Sequence, residues 1–282
     1  MTLPEEFDTE AFVGRVLAED LGHGGDVTSI STIDARARFR AEMNSRQVIV
    51  VAGLDLAAAF FRALDPDVKI EQFASDGDRV EHGTTLLRLA GNARAMLAAE
   101  RSALNTLQHL SGIATLTRQY VDAISGTRSL LLDTRKTIPG LRLLEKYAAR
   151  MGGAHNHRIR LDDGILIKDN HVSVCGGVAE AVRRAKAADT GLQVQVEVDR
   201  TEQIEPALSA GADRLLLDNM DPAMLREAVK LVAGRVPLEA SGGVTLETIR
   251  FLAETGVDYI SVGRITQSAP AVDIGLDYAV NR

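Results

Sequence analysis

From residue 130 onward the chain alternates short apolar runs with segments of helical spacing, and few folds accept that grammar. The runs fall at 130–132, 165–167, 194–198, 215–217 and 259–262. Helical patterning covers 178–188, 204–210, 223–232 and 246–255, and a further short strand is expected at 237–240. Strand alternating with helix means parallel strands joined by crossover helices. Each run ends in polar residues: Asp133-Thr134-Arg135-Lys136, Lys168-Asp169-Asn170, Glu197-Val198-Asp199, Asp218-Asn219, Ser241-Gly242-Gly243 and Gly263-Arg264. A βα barrel keeps its site at that end of its strands. No glycine fingerprint opens the first βα unit, which places a doubly wound open sheet behind the barrel. Six strands in place of eight predict an incomplete or distorted barrel.

The first half has a different pattern. Residues 5–21 read as an amphipathic helix, 37–43, 47–51, 68–73 and 84–89 as strands, 54–64 as a helix and 92–124 as a long helix. Strands without interleaved crossover helices argue for a small α+β domain. The expected fold class is therefore α/β, an incomplete (β/α) barrel with an N-terminal α+β domain. The first domain is expected over 1–109 and the barrel over 110–269, with the tail 270–282 packing on the first domain.

A chain of 282 residues, 45% of them hydrophobic, can bury a sizeable core. The opening MTLPEEFDTE is acidic and has no apolar centre, and no apolar run approaches membrane-spanning length, so a cytoplasmic location is expected. The single cysteine, Cys175, excludes an internal disulfide and reads as a buried or half-buried small hydrophobe.

Charge points to the ligand. Residues 133–171 hold eight Arg and Lys, three of the six His and only five acids, in a chain whose formal net charge is −7. A local cationic focus in an acidic chain suits a small polyanion. Nucleic acid would call for a broad basic surface with interleaved aromatics, yet aromatics are 4% of residues and Trp is absent. Helical spacing places Leu141, Leu144, Ala148 and Met151 on a packed stripe after Pro139-Gly140. Arg142, Lys146 and Arg150 fall on another face, some of them expected on the surface. Arg135, Lys136, His157, Arg158 and Lys168 are different, because they stand at element ends, where sites are built.

Strand alternation assigns further roles. In VQVEVD the period of two puts Val194, Val196 and Val198 under the helices and Glu197 in the barrel mouth, where a cation should satisfy it. By the same count Arg214, Leu216 and Asp218 share a face. Glu197 and Asp218 could be ion-paired across the barrel, or could hold magnesium or ribose hydroxyls. Ser241, Gly242 and Gly243 precede a helix expected near Thr245, and Gly263 repeats the arrangement on the next strand. Paired glycine loops after the last strands of a βα barrel commonly bind one phosphate. Arg101, on a helical face with Asn105, reads as surface.

DTRKTIPGLR, LEKYA, GGAHNHR, LIKDNH, VEVD, LLLDN, ASGG and VDYISVG, with EDLGHGGDVTS and ERSALNTLQHLSGIAT upstream, resemble the quinolinate phosphoribosyltransferase family over nearly the whole chain. The resemblance implies an N-terminal α/β domain, an incomplete barrel and a homodimer with shared sites. It implies that Arg135, His157, Arg158 and Lys168 surround the two carboxylates of quinolinate, with Arg101 entering from the neighbouring subunit. Lys136 would lie near the pyridine and the pyrophosphate and is the candidate proton donor. Glu197 and Asp218 would hold Mg2+ and ribose hydroxyls, and Ser241, Gly242, Gly243 and Gly263 would cradle the 5-phosphate. The implied reaction converts quinolinate and phosphoribosyl pyrophosphate into nicotinate mononucleotide, pyrophosphate and carbon dioxide. Catalytic roles are thereby implied for Lys136, Lys168, Glu197 and Asp218.

Two positions depart from the family pattern: Arg160 stands for a glycine in NHRIRL, and Gln267 for a histidine in TQS. Competing readings are a related transferase acting on nicotinate or a molybdenum-associated substrate, a Schiff-base lyase using Lys168, and a non-catalytic phosphate-binding barrel. The intact LIKDNH and NHR, with both Lys168 and Arg158, favour a dicarboxylate.

Overall fold

In β1 (Arg38–Ser45) every second side chain from Ala41 onward is buried, and this alternation fixes how the first part of the chain packs. The structure, a computed structural model, describes residues 3–278. Helix α1 (Thr9–Leu21) is capped by Asp8, whose carboxylate accepts the Ala11 N–H, and buries Phe12, Val13 and Leu17. The short α2 (Val27–Thr32), which hydrophobic patterning did not single out, is capped in the same way by Asp26. After β1 come β2 (Ile49–Val50), α3 (Leu54–Leu64), β3 (Lys69–Gln72), β4 (Arg79–Val80), β5 (Thr85–Asn92) and the long α4 (Ala93–Ala123). In the antiparallel pairing of β1 with β5, Ala41 faces Leu89 and Met43 faces Leu87. Those side chains, with Phe60 and Phe61 of α3, are essentially inaccessible. Each such burial contributes about 1.5–3 kcal/mol for the larger side chains.

Beyond α4 the expected βα grammar appears: β6 (Leu130–Leu132), α5 (Arg142–Met151), β7 (Ile165–Ile167), α6 (Asp169–Cys175), α7 (Val178–Ala187) and β8 (Val194–Val198). Then follow α8 (Ile204–Ser209), β9 (Arg214–Asp218), α9 (Pro222–Val232), β10 (Leu238–Ser241), α10 (Ile249–Ala253), β11 (Tyr259–Ser261), α11 (Arg264–Gln267) and β12 (Ile274–Tyr278). The six strands β6 to β11 form one sheet in the order β6-β11-β10-β9-β8-β7, every pairing parallel. A parallel bridge between Leu132 and His155 adds to the β6 edge. This is the incomplete barrel. Val194, Val196 and Val198 are at most 1% exposed, as the period of two requires. Helices α7, α8, α9 and α10 each turn an apolar face inward, through Val182, Ala207, Ala228 and Ile249 among others.

The chain divides into two compact units: Met1–Leu116 with Leu143–Gly153 and Ala269–Arg282, and Thr117–Arg142 with Ala154–Ser268. The expected boundary at 109/110 gives way to Leu116/Thr117, and most of α5 groups with the first unit. β12 pairs antiparallel with β1, Met43 facing Leu276, while residues 279–282 of the tail lie outside the described residues.

Three local expectations need correction. The helix expected after Pro139-Gly140 begins at Arg142, because Pro139 to Leu141 form a turn. Of Arg142, Lys146 and Arg150, some of them expected on the surface, none is exposed, and Lys146 is only 2% exposed. The helix expected near Thr245 begins at Ile249, since Thr245 and Thr248 close a turn in which Thr248 Oγ1 accepts the Thr245 N–H at 3.0 Å.

Candidate active site

At the carboxyl ends of the second unit's strands the polar termini enclose a cavity of about 730 Å³. Arg135, Lys136, His157, Arg158, Lys168, Glu197, Asp218, Ser241, Gly242, Gly243 and Gly263 all line it, so the structure brings together every expected site residue but one. The exception is Arg101, which is exposed on α4 in the first unit and makes no ion pair among the described residues.

The cations of the mouth are not neutralised by close ion pairs. Among the described residues, Arg135, Lys136, Arg158 and Lys168 form no ion pair, and the buried Nε of Arg135 has no hydrogen-bond acceptor. Arg158 donates through Nη1 to the Gly164 carbonyl at 3.1 Å. Burial, and then the repulsion of Arg135, pull its guanidinium below the usual arginine range. Asp163 offsets part of this, and two like charges kept together in a partly buried mouth favour an anion that joins them. The Lys136 carbonyl accepts from Thr266 Oγ1 at 2.8 Å, which fixes the backbone that carries its ammonium group. Lys168 follows β7 and precedes α6, and its N–H donates to His171 Nδ1 at 2.9 Å.

His157 is placed by Asp133. That carboxylate is fully buried at the end of β6 and accepts the His157 N–H at 2.8 Å and the Asn156 side-chain amide. His157 Nδ1 in turn accepts the Arg158 N–H at 2.7 Å.

Glu197 and Asp218 stand at the ends of the neighbouring strands β8 and β9. Desolvation, followed by the Asp218 charge, raises the Glu197 carboxyl above its ordinary 4.5, and Lys168 counters part of that rise. Among the described residues neither carboxylate forms a close ion pair, Lys168 being the cation that acts on Glu197, and Arg214 pairs with Glu239 instead, Nη2 to Oε2 at 2.8 Å. Asn219 donates to Asp218 Oδ2 at 2.6 Å. No cluster of three or more His, Cys, Asp or Glu suited to a metal occurs among the described residues. Magnesium asks for one or two carboxylates and takes its other ligands from water and phosphate, so this two-carboxylate donor set fits it.

The mouth is also lined by the Ser241-Gly242-Gly243 turn and by Gly263, the residue that opens α11. Gly242 has φ +100° and Gly243 φ +58°, and a Cβ on Gly242 would collide with Asn219. The N–H groups of Gly242, Gly243, Val244 and Gly263 have no backbone acceptor among the described residues, so they are available to an anion. Gln267, where the family pattern has histidine, also lines the mouth, while Arg160 pairs outward with Asp162 at 2.9 Å.

Sequence reasoning did not single out Asp133, Asn219 or Glu239. Each was visible as a polar residue at or within a strand end, the signal used for its neighbours.

Residues 26–111 match the family described as quinolinate phosphoribosyl transferase, N-terminal domain, and residues 113–277 match quinolinate phosphoribosyl transferase, C-terminal domain. The chain belongs to the quinolinate phosphoribosyltransferase family. It is 43% identical over 281 residues to the nicotinate-nucleotide pyrophosphorylase [carboxylating] of Mycobacterium leprae, covering 96% of this chain and 98% of that protein. It is 42% identical over 264 residues to the probable nicotinate-nucleotide pyrophosphorylase [carboxylating] of Bacillus subtilis, covering 93% and 91%. The solved nicotinate-nucleotide pyrophosphorylase of Francisella tularensis superposes with a TM-score of 0.92 at 41% identity, covering 96% of each chain. Family membership and the fold expected from the βα grammar therefore agree.

Proposed function

We propose that this chain is a pentosyltransferase of NAD biosynthesis, joining quinolinate to phosphoribosyl pyrophosphate with loss of carbon dioxide to give nicotinate mononucleotide and pyrophosphate. The observation that carries the reading is the pair Arg135 and Arg158. Both residues line one cavity, where burial and then the Arg135 charge pull the Arg158 guanidinium below its usual range, and neither forms an ion pair among the described residues. Quinolinate supplies two carboxylates, and the guanidinium fork can bind both oxygens of each.

In this reading Lys168 and His157 complete the quinolinate side, and the Ser241-Gly242-Gly243 turn and Gly263 take the 5-phosphate. Glu197 and Asp218 would hold Mg2+ and ribose hydroxyls. The metal would supply charge stabilisation to the departing pyrophosphate. The protein's own work is positioning and electrostatics: the mouth sets the pyridine nitrogen against the ribose carbon and excludes water from between them. Once the nitrogen is quaternary, it stabilises the electron pair left at the adjacent ring carbon as the 2-carboxylate leaves. Lys136, held at its backbone by Thr266, is the group proposed to return a proton there.

The proposal extends to a homodimer in which Arg101, exposed and without an ion-pair partner, enters the partner's mouth, and to a cytoplasmic location. No helix among the described residues is long and apolar enough to cross a membrane. The test is a single assay of purified protein with quinolinate, phosphoribosyl pyrophosphate and magnesium, followed by product mass. Nicotinate mononucleotide with stoichiometric carbon dioxide supports the reading, and a product that retains both carboxylates overturns it.

A further inference from the structure

The wall of the mouth includes a charged group that the reaction above does not use. Glu239, on the central strand β10, is 0% exposed. Its Oε2 accepts from Gln195 Nε2 of β8 at 2.8 Å and lies 2.8 Å from Arg214 Nη2 of β9 and 3.4 Å from His157 Nε2. Arg214 also stacks on Tyr259 of β11, its guanidinium carbon 3.9 Å from the ring centroid. One buried carboxylate thus ties together three neighbouring strands, a fourth through Arg214, and the segment that carries His157 and Arg158. Burial of a carboxylate on this scale is costly unless partners are fixed around it; here they gather at Oε2, while Oε1 is buried without a hydrogen-bond partner.

The ring nitrogens of His157 define what that carboxylate does. Nδ1 accepts the Arg158 N–H and therefore carries no proton, so the proton of the neutral ring is on Nε2, facing Glu239. Charge agrees with this tautomer, because Arg214 already balances Glu239 and a second buried cation is not required. Both ring nitrogens face protein groups.

We infer that Glu239 is a positioning residue: it fixes His157 as the Nε2–H tautomer and so sets the orientation of the adjacent Arg158, making His157 a neutral wall of the quinolinate pocket, not a proton donor. The quinolinate part of this inference rests on the function proposed above, and the tautomer does not. The arrangement is that of a ligand-binding histidine oriented by a carboxylate behind it.

The test combines a spectroscopic and a binding readout on the full-length protein. Nitrogen-15 spectra of histidine-labelled protein, with His157 identified by the signal lost in His157→Gln, should show a bare Nδ1 and a protonated Nε2 at neutral pH. Glu239→Gln leaves the Arg158 N–H on Nδ1 but weakens the acceptor facing Nε2, so it should shift the Nε2 signal and admit a minor Nδ1–H form. It should weaken quinolinate binding about 10-fold or more, as loss of a charged hydrogen-bond partner does, while phosphoribosyl pyrophosphate binding changes less than about 3-fold. Adding Glu239→Gln to His157→Gln should weaken quinolinate binding no further than His157→Gln alone. Should Glu239→Gln fail to fold, Glu239→Gln combined with Arg214→Met removes both buried charges together and is expected to fold with the same binding split. A doubly protonated His157 or an Nδ1–H tautomer in the wild type overturns the inference. So do additive losses in the Glu239 and His157 pair, or equal loss of both substrates. If the wild type binds no quinolinate at all, the proposed function fails while the nitrogen spectra still decide the tautomer.

Discussion

The side-chain amide of Asn219 occupies the space that a Cβ on Gly242 would need, and the same amide donates to the Asp218 carboxylate at 2.6 Å. The glycine turn after β10 and the acidic end of β9 are therefore one packed unit. Gly242→Ala should disturb both, adding about 1–3 kcal/mol of backbone strain at φ +100°. The expected outcome is a fall in kcat/KM for phosphoribosyl pyrophosphate with quinolinate binding retained, measured by steady-state kinetics and calorimetry. Equal loss of both substrates would mean that the turn supports the whole barrel.

The two sides of the mouth should separate by mutation. Arg135→Ala and Arg158→Ala should mainly weaken quinolinate, and Glu197→Ala and Asp218→Ala mainly phosphoribosyl pyrophosphate, each by about 2–5 kcal/mol. Titrating each variant with each substrate checks this. Quinolinate affinity lost equally in all four would place the metal wrongly.

Glu239 gives a pH signature. Burial pulls its carboxyl upward, but His157, Arg214 and Gln195 outweigh that and hold it below its ordinary 4.5. A depressed carboxyl stabilises the fold fully above 4.5, and that stability is lost as pH falls through the lower folded value. Urea unfolding between about pH 3 and pH 7 should therefore show a steeper acid loss in the wild type than in the Glu239→Gln, Arg214→Met double variant. Identical slopes would mean that Glu239 titrates normally in the fold.

If Arg101 completes the partner's pocket, sites obey dimer symmetry. Arg101→Ala and Arg158→Ala should each be nearly inactive alone. Mixed dimers of the two contain one intact site, so activity should return toward about half of wild type per heterodimer. No recovery under conditions proven to exchange subunits would place Arg101's role within its own chain.

Much of this site could be read from strand periodicity. The alternation in VQVEVD buried Val194, Val196 and Val198 and delivered Glu197 to the mouth, because a period of two leaves a strand no other choice once one face is covered. Helix spacing served Lys146 less well, since spacing says which residues share a face but not what that face meets. The partner of Arg214 was also illegible. Whether it pairs with Glu197, Asp218 or Glu239 depends on the register of three strands, and register is set by packing far along the chain. The start of α10 was misplaced for a local reason, the Thr245 to Thr248 turn, which mimics a helix N-terminus in sequence.

The central claim is that the unpaired cations of the mouth exist to hold two carboxylates. Turnover of quinolinate and of nicotinate, each with phosphoribosyl pyrophosphate and magnesium, measures that directly, since nicotinate lacks the second carboxylate. Leaving part of the cationic pocket unneutralised should cost several kcal/mol, on the order of thousands-fold in kcat/KM. Strong preference for quinolinate is the predicted result, and comparable turnover of the two acids would contradict it.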